Sequence, residues 1–231
     1  MHRKASIPAG KRARWVSSAK FGGAMSETRI RRQRTQEERK AESERKIIRA
    51  AIDLFARQGY MRTTINQVGK AAGYTGGLVS HRFGSKEALL KAVVQRMSSR
   101  YLHDQLRPTI DLDSAERSVE KHIETFFKEL ATREKSMRAL YVIMGEALGA
   151  VPEVQKDIAE LNKGIRGELE ALIERGVKAG AFRKALDVKS AAVLLLAVLR
   201  GVAIQVLTDK QAVDIDALLP LVQRQVLASL K

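Results

Sequence analysis

The chain contains no cysteine. Disulfides, thiolate metal sites and a thiol nucleophile are therefore excluded, and a fold that needs no oxidising compartment remains, so a cytoplasmic location is expected. Proline is almost as scarce, with four in 231 residues. That scarcity, with a composition rich in strong helix formers, points to an all-α chain. The four histidines, at positions 2, 81, 103 and 122, show no metal-ligand spacing. No strand is evident, and no glycine-rich phosphate loop follows one. No metal, cofactor or catalytic activity is expected on these grounds. Glu146, in "YVIMGEALG", is a single acid in an apolar setting, read as a satisfied polar residue or a ligand contact. No secretory leader pattern is present. The longest apolar run, "AAVLLLAVLRGVAIQVL" at 191–207, carries Arg200 and Gln205. It is shorter than the roughly 20 residues a spanning helix needs, and a central arginine is costly in lipid. A buried or interface helix is expected there, and no membrane partner.

Acidic residues are nearly missing from the front of the chain. Residues 1–34 hold ten Lys/Arg against the single acid Glu27, a net +9. Residues 35–100 hold thirteen against six, a net +7, and residues 101–231 hold nineteen of each. The whole excess of +16 thus lies in the first hundred residues. Such asymmetry points to a front half that binds a polyanion and a neutral back half. Residues 1–34 offer little to bury and read as a basic, disordered extension. Three origins stay open for it: a nucleic-acid-binding arm, an organelle transit peptide, or a stretch upstream of a true start at Met25.

Helix signals follow one another from residue 35. Thr35 and Glu38 fit a capping box before a long helix. Its apolar face is Ile47, Ile48, Ala51, Leu54 and Phe55, and Gly59 ends it with Tyr60 placed to pack back. Thr64 and Gln67 fit a second capping box, and Gly73 stops that helix after about two turns. A third short helix spans 75–83. Ser85 caps a fourth that runs to about Leu106, where Pro108 should break it. Two short helices joined by a tight glycine turn have the spacing of a helix-turn-helix. Small Gly69 lets the two cross closely, Gly73 supplies positive φ in the turn, and Val68, Ala72 and Val79 face inward. Five more helices are expected at 113–133, 136–149, 152–179, 187–208 and 216–230. Pro152 suits a helix start, and Pro220 blurs the last boundary.

The stretch "RKIIRAAIDLFARQGYMRTTINQVGKAAGYTGGLVSHRFGSKEALLKAVV", 45–94, resembles the DNA-binding domain of TetR/AcrR-family transcriptional regulators. "FARQGY", "TT", "AAGYTGG" and "HRFGSKEALL" carry the likeness, and "SHRF" is reminiscent of the betaine-pathway regulators within the family. The resemblance implies an N-terminal three-helix DNA-binding domain at 35–84 after the 1–34 extension. It also implies a helical ligand-binding and dimerisation domain at 85–231. Arg82 stands where the family commonly has an aromatic residue, and Gly76 where many members carry a larger one.

The implied function is a ligand-responsive, dimeric repressor of a palindromic operator, released by a small-molecule effector. The alternative is a non-specific architectural DNA-binding protein. Helix 75–83 would enter the major groove by its N-terminal end. Thr75, Gly76, Gly77, Ser80, His81 and Arg82 would lie against DNA, with Thr64 and Lys86 gripping phosphates on either side. Of the two glycines, Gly77 reads as the steric need and Gly76 as a contact given up. Plainer readings accompany these: Thr64 and Ser85 as caps alone, His81 as packing, Lys86 as a solvated charge. Phe126, Phe127, Tyr141 and Met144 are the candidate effector contacts, against an ordinary role in the core. The helices at 187–208 and 216–230 would form the homodimer. Expected partners are thus double-stranded DNA bearing an inverted repeat, a second copy of the chain, and a small molecule.

Overall fold

Residues 35–110 and 112–231 are described by a computed structural model of the chain. The expected basic extension at 1–34 lies outside the described residues. Those described form helices and turns, with no strand among them. Helix α1 (Gln36–Gln58) buries Ile47, Ala51 and Phe55 completely. Gly59 ends it at φ 79°, and Tyr60 folds back so that its ring meets Phe55 edge-on, 5.6 Å between centroids. Helix α2 (Ile65–Ala72) opens with both halves of the Thr64–Gln67 capping box in place. Helix α3 (Gly76–Phe83) is capped by the Thr75 hydroxyl, and α4 (Lys86–Arg100) by that of Ser85.

The chain departs from expectation at Pro108. The α4 path continues through a π-helical stretch, Tyr101–Leu106, into a short α5 (Arg107–Ile110) that contains the proline. Proline has no N–H and its ring crowds the i−4 carbonyl of a regular helix. A wide turn just before it shifts the hydrogen-bond register, with the Arg107 N–H reaching Leu102 instead of the residue four back. The path is therefore widened at the proline and not broken there.

The remaining helices are α6 (Ala115–Thr132), α7 (Glu134–Ala147), α8 (Gln155–Lys178), α9 (Val188–Thr208) and α10 (Ile215–Leu230). A single 3₁₀ turn, Pro152–Val154, leads into α8 and places the proline at its first position. Pro220 lies inside α10. Apart from the start of α8, which the 3₁₀ turn moves from Pro152 to Gln155, each end of α6–α10 falls within about two residues of the position read from the sequence.

Two apolar clusters hold these helices together. One joins α1 to α4 but draws in Ala139, Ile143 and Ala147 of α7 and Ile158 of α8. The other collects α6, α8, α9 and α10 around Ile123, Leu169, Leu172 and Leu199. Helix α7 thus forms one wall of the N-terminal cluster. Helix α9 is the one described helix long and apolar enough to cross a membrane by length and composition. One of its sides, with Ala192, Leu195 and Leu199, is buried in the second cluster, while Val193, Leu194 and Ile204 are about half exposed.

Candidate nucleic-acid interface and effector cavity

The short helices α2 and α3 meet through a turn that leaves no room for side chains on the inside. Gly73 takes φ 78°, and its N–H returns to the Gly69 and Lys70 carbonyls. A Cβ on Gly69 would stand 2.7 Å from the Thr75 carbonyl carbon and 2.8 Å from the Gly76 nitrogen. These are backbone atoms that cannot swing away. Gly69→Ala is therefore expected to cost about 2 kcal/mol through forced separation of the two helices, read as a lowered urea midpoint at unchanged slope.

The two neighbouring glycines differ in what surrounds them within the protein. A Cβ on Gly76 would run into the Asn66 carboxamide and lie 3.2 Å from the Asn66 Cα. Its bareness serves the packing of α3 on α2. A Cβ on Gly77 would meet only the Thr75 hydroxyl, at 3.8 Å. Nothing within the protein requires Gly77 to be bare. Sequence alone could not separate them, because the distinction depends on which side of α3 faces α2.

The other proposed contacts fall into two groups. Thr64, Thr75, Gly77, Ser80 and His81 are exposed, and 77, 80 and 81 share one face of α3. Val79 points the other way, fully buried. Arg82 is half-buried, and its Nε is enclosed without a hydrogen-bond partner. Both hydroxyls are engaged as caps: Thr64 accepts from the Gln67 N–H at 3.2 Å and Thr75 from the Leu78 N–H at 3.2 Å. Lys86 is engaged as well. Its Nζ donates to the Met61 carbonyl at 3.1 Å and lies 4.2 Å from the centre of the Tyr60 ring. Burial lowers its pKa, with the Glu146 carboxylate opposing the shift.

Glu146 completes that grip from the opposite side. Its carboxylate accepts from the Tyr60 N–H at 2.9 Å and from the Met61 N–H at 3.3 Å. The α1–α2 turn is thus held by an acid on α7 and a base on α4. Its N–H groups would otherwise lack partners past the end of α1. The sequence marked Glu146 as a satisfied polar residue or ligand contact, and the first reading holds. Its partner could not be read, being 86 residues away in the chain.

A cavity of about 520 Å³ opens between α7, α8 and α9. Tyr141 and Met144 line it, as expected. Phe126 and Phe127 do not; they are 4% and 2% exposed within the second apolar cluster. Aromatic residues at helical spacing filled the core there. The cavity wall is largely aliphatic, from Val142, Ala147, Ile158, Ile204 and Leu207. Its polar end holds Arg200, whose guanidinium donates to the Asn162 side-chain oxygen at 2.5 Å. Desolvation lowers the Arg200 pKa, against the neighbouring Tyr141 and Tyr101 hydroxyls, while Arg166 adds a second nearby positive charge. Burial raises the pKa of Tyr141 and of Tyr101 strongly. Sequence reasoning missed Arg200 as a cavity residue, although a lone charge inside the 191–207 apolar run was the available signal. Among the described residues, no cluster of three or more His, Asp or Glu is placed to hold a metal ion.

Comparison with known proteins agrees with this architecture. A family model described as "Bacterial regulatory proteins, tetR family" matches residues 47–93, which contain α2, the turn and α3. A second, "BetI-type transcriptional repressor, C-terminal", matches residues 115–231. The fatty acid metabolism regulator protein of Bacillus subtilis is 22% identical over 172 residues, 74% of this chain and 87% of that protein. The fatty acid degradation regulator FadR of Bacillus halodurans superposes with a TM-score of 0.70 at 25% identity, covering 80% of this chain and 94% of that one. A transcriptional regulator of Saccharomonospora viridis, solved in complex with choline, superposes with a TM-score of 0.69 at 21% identity, covering 80% and 94%. The matched families are transcriptional regulators and not enzymes. The second match alone spans just over half of the sequence and the first falls on the helix-turn-helix, so the chain belongs to the tetR family of bacterial regulatory proteins and carries a C-terminal part of the BetI repressor type.

Proposed function

We propose that the protein is a homodimeric repressor that reads an inverted-repeat operator and releases it when a small molecule occupies the α7–α9 cavity. The observation that carries the DNA-reading part is the exposed face of α3. Gly77, Ser80 and His81 present it without partners inside the protein, and the helix start is free of bulk. Side chains there can reach base edges in a major groove, while Thr64, Arg82 and Lys86 lie where phosphates pass. Thr75 and Gly76 place the backbone N–H groups of the helix start against the duplex. The working division of labour is 35–84 for DNA and 85–231 for ligand and dimer, with 1–34 a basic extension. The exposed apolar faces of α9 and α10, with Val193, Leu194, Ile204 and Leu221, suit self-association. Two copies would set two α3 helices about one DNA turn apart. Such a regulator works in the cytoplasm, on the nucleoid.

The effector would enter the half-open cavity beside Tyr141 and Met144. Phe126 and Phe127 would support its wall from behind instead of touching the ligand. Related regulators are named for fatty acid metabolism, and one was solved with choline. These are opposite charge classes, so the polar end of the cavity decides between them.

Footprinting on selected genomic fragments tests the reading. Protection of two half-sites with two-fold symmetry, surviving excess random DNA, is the expected result. Uniform, unphased protection would instead favour the architectural alternative and defeat this one. Gly77→Ala adds a sharper check. With open space around its Cβ, it should leave stability unchanged or raise it by about 0.5 kcal/mol. It should still weaken operator binding, because the added methyl stands between helix and duplex. Equal operator affinity in the variant would remove Gly77 from the interface.

A further inference from the structure

Arg200 is a half-buried guanidinium with an amide as its one hydrogen-bond partner in the structure. No aspartate or glutamate lines the cavity with it. The other cavity arginine, Arg138, is already paired with Glu134 at 3.0 Å. Arg166 adds positive charge near Arg200 without supplying a counter-ion. A cation withdrawn from water normally finds a carboxylate, because its desolvation otherwise goes uncompensated. Here the uncompensated charge lines a cavity whose wall is otherwise largely aliphatic, with Gln155 and Thr208 as its neutral polar members beside Asn162. The Tyr141 side chain lines the same space.

We propose that the effector is an amphipathic organic anion, with its acidic head on Arg200 and its apolar tail along Met144, Ile158, Ile204 and Leu207. This rests on the cavity being the effector site. The guanidinium supplies a planar fork for a carboxylate oxygen pair, and Tyr141, near enough to influence Arg200, brings a hydroxyl donor to the same cavity. A cationic head would meet Arg200, with the charge of Arg166 behind it, and be rejected by like charge. The geometry thus selects by charge at one end and by hydrophobic length at the other. The acidic head is a carboxylate: in a coenzyme A thioester that group is esterified and the phosphates lie a whole pantetheine arm away from the tail, so the free acid is the form that sets anionic oxygen on the fork beside the tail.

The test uses the full chain and three probes sharing one tail: decanoate, decanol and decyltrimethylammonium, with decanoyl-CoA as a fourth. Calorimetric titration should show decanoate binding at least tenfold more tightly than decanol and more tightly than decanoyl-CoA, with the ammonium probe weakest. Arg200→Gln should reduce the affinity of decanoate at least tenfold and leave decanol within about twofold. Tighter binding of decanoyl-CoA than of decanoate overturns the carboxylate head on Arg200. Equal binding of decanol and both anions, or preference for the ammonium, overturns the charge assignment. A second variant, Gly145→Leu, adds bulk to the cavity wall where a Cβ meets nothing within 4 Å and leaves Arg200 in place. If the neutral or cationic probe binds and Gly145→Leu abolishes it, the cavity remains the effector site and only the anion class has failed. If probes bind equally well to Gly145→Leu, the site itself is misplaced. No binding by any of the four overturns the proposal for this tail class.

Discussion

Replacing Glu146 with alanine is expected to destabilise the protein by about 3 kcal/mol. The carboxylate accepts two backbone N–H groups, from Tyr60 and Met61. Hydrogen bonds to a charged acceptor contribute roughly 1.5–3 kcal/mol each, and the Met61 bond is long and exposed, so the sum lies nearer the lower bounds. The loss leaves two backbone donors just past the end of α1 without partners. Glu146→Gln keeps one acceptor oxygen and should lose about half as much. Urea unfolding of the three proteins checks the order. Alanine and glutamine variants as stable as the parent would show that the turn holds itself.

A double-mutant cycle separates this contact from its surroundings. Gly59 has φ 79°, and a Cβ there would stand 2.7 Å from the Glu146 Oε1. In the parent, Gly59→Ala must both adopt the left-handed region and displace the carboxylate. In the Glu146→Ala background only the backbone strain remains, about 1 kcal/mol. The coupling has a functional side. Tyr141, Met144 and Leu148 of the α7 segment line the cavity, while Val142 and Glu146 lie against Gly59. A ligand that moves α7 moves the acceptor for the α1–α2 turn directly. The Glu146→Ala variant should therefore show a smaller ratio of DNA affinities with and without effector, since coupling needs a shared element with two arrangements.

Much of this was legible along the chain. The capping boxes and C-terminal glycines are local devices, spaced three or four residues apart, and Thr64–Gln67, Ser85 and Gly59 all act as their spacing implied. The resemblance at 45–94 likewise rests on contiguous residues. What could not be read depends on distant parts of the chain. The partner of Glu146 is 86 residues away in the chain, the surroundings of Gly76 and Gly77 depend on how α3 rolls onto α2, and Lys86 turns inward to Met61 and Tyr60. Phe126 and Phe127 follow the same helical period as core residues and as cavity liners, so periodicity could not distinguish the two. Arg200 was visible as an anomaly in an apolar run, but its meaning came only from the absence of a carboxylate nearby. Pro108 failed as a breaker because a π turn is a register change that no residue type announces.

Acidification should unfold the protein through one residue in particular. His122 on α6 is 1% exposed, its Nε2 is 3.3 Å from the Tyr101 hydroxyl, and its Nδ1 has no partner. Burial alone lowers its pKa from 6.5 to about 4. The imidazole is therefore neutral in the folded chain at pH 6, whereas in the unfolded chain it takes up a proton below about pH 6.5. Between those values the unfolded state binds more protons, so stability rises with pH and is lost as pH falls from about 6.5 towards 4. A difference of about 2.5 units corresponds to about 3 kcal/mol over that window. Carboxylates such as Glu134, whose pKa is lowered by its hydrogen bond to Arg138, add their own acid sensitivity to any pH series. The difference between parent and His122→Gln removes that common part. Glutamine can still accept from the Tyr101 hydroxyl but does not titrate. Urea midpoints measured from pH 7 to 4 should fall more steeply in the parent, by the equivalent of about 3 kcal/mol, and the variant should be the more stable protein at pH 4 relative to its own value at pH 7. Parallel curves would mean that water reaches the imidazole in the folded state and that burial does not hold it neutral.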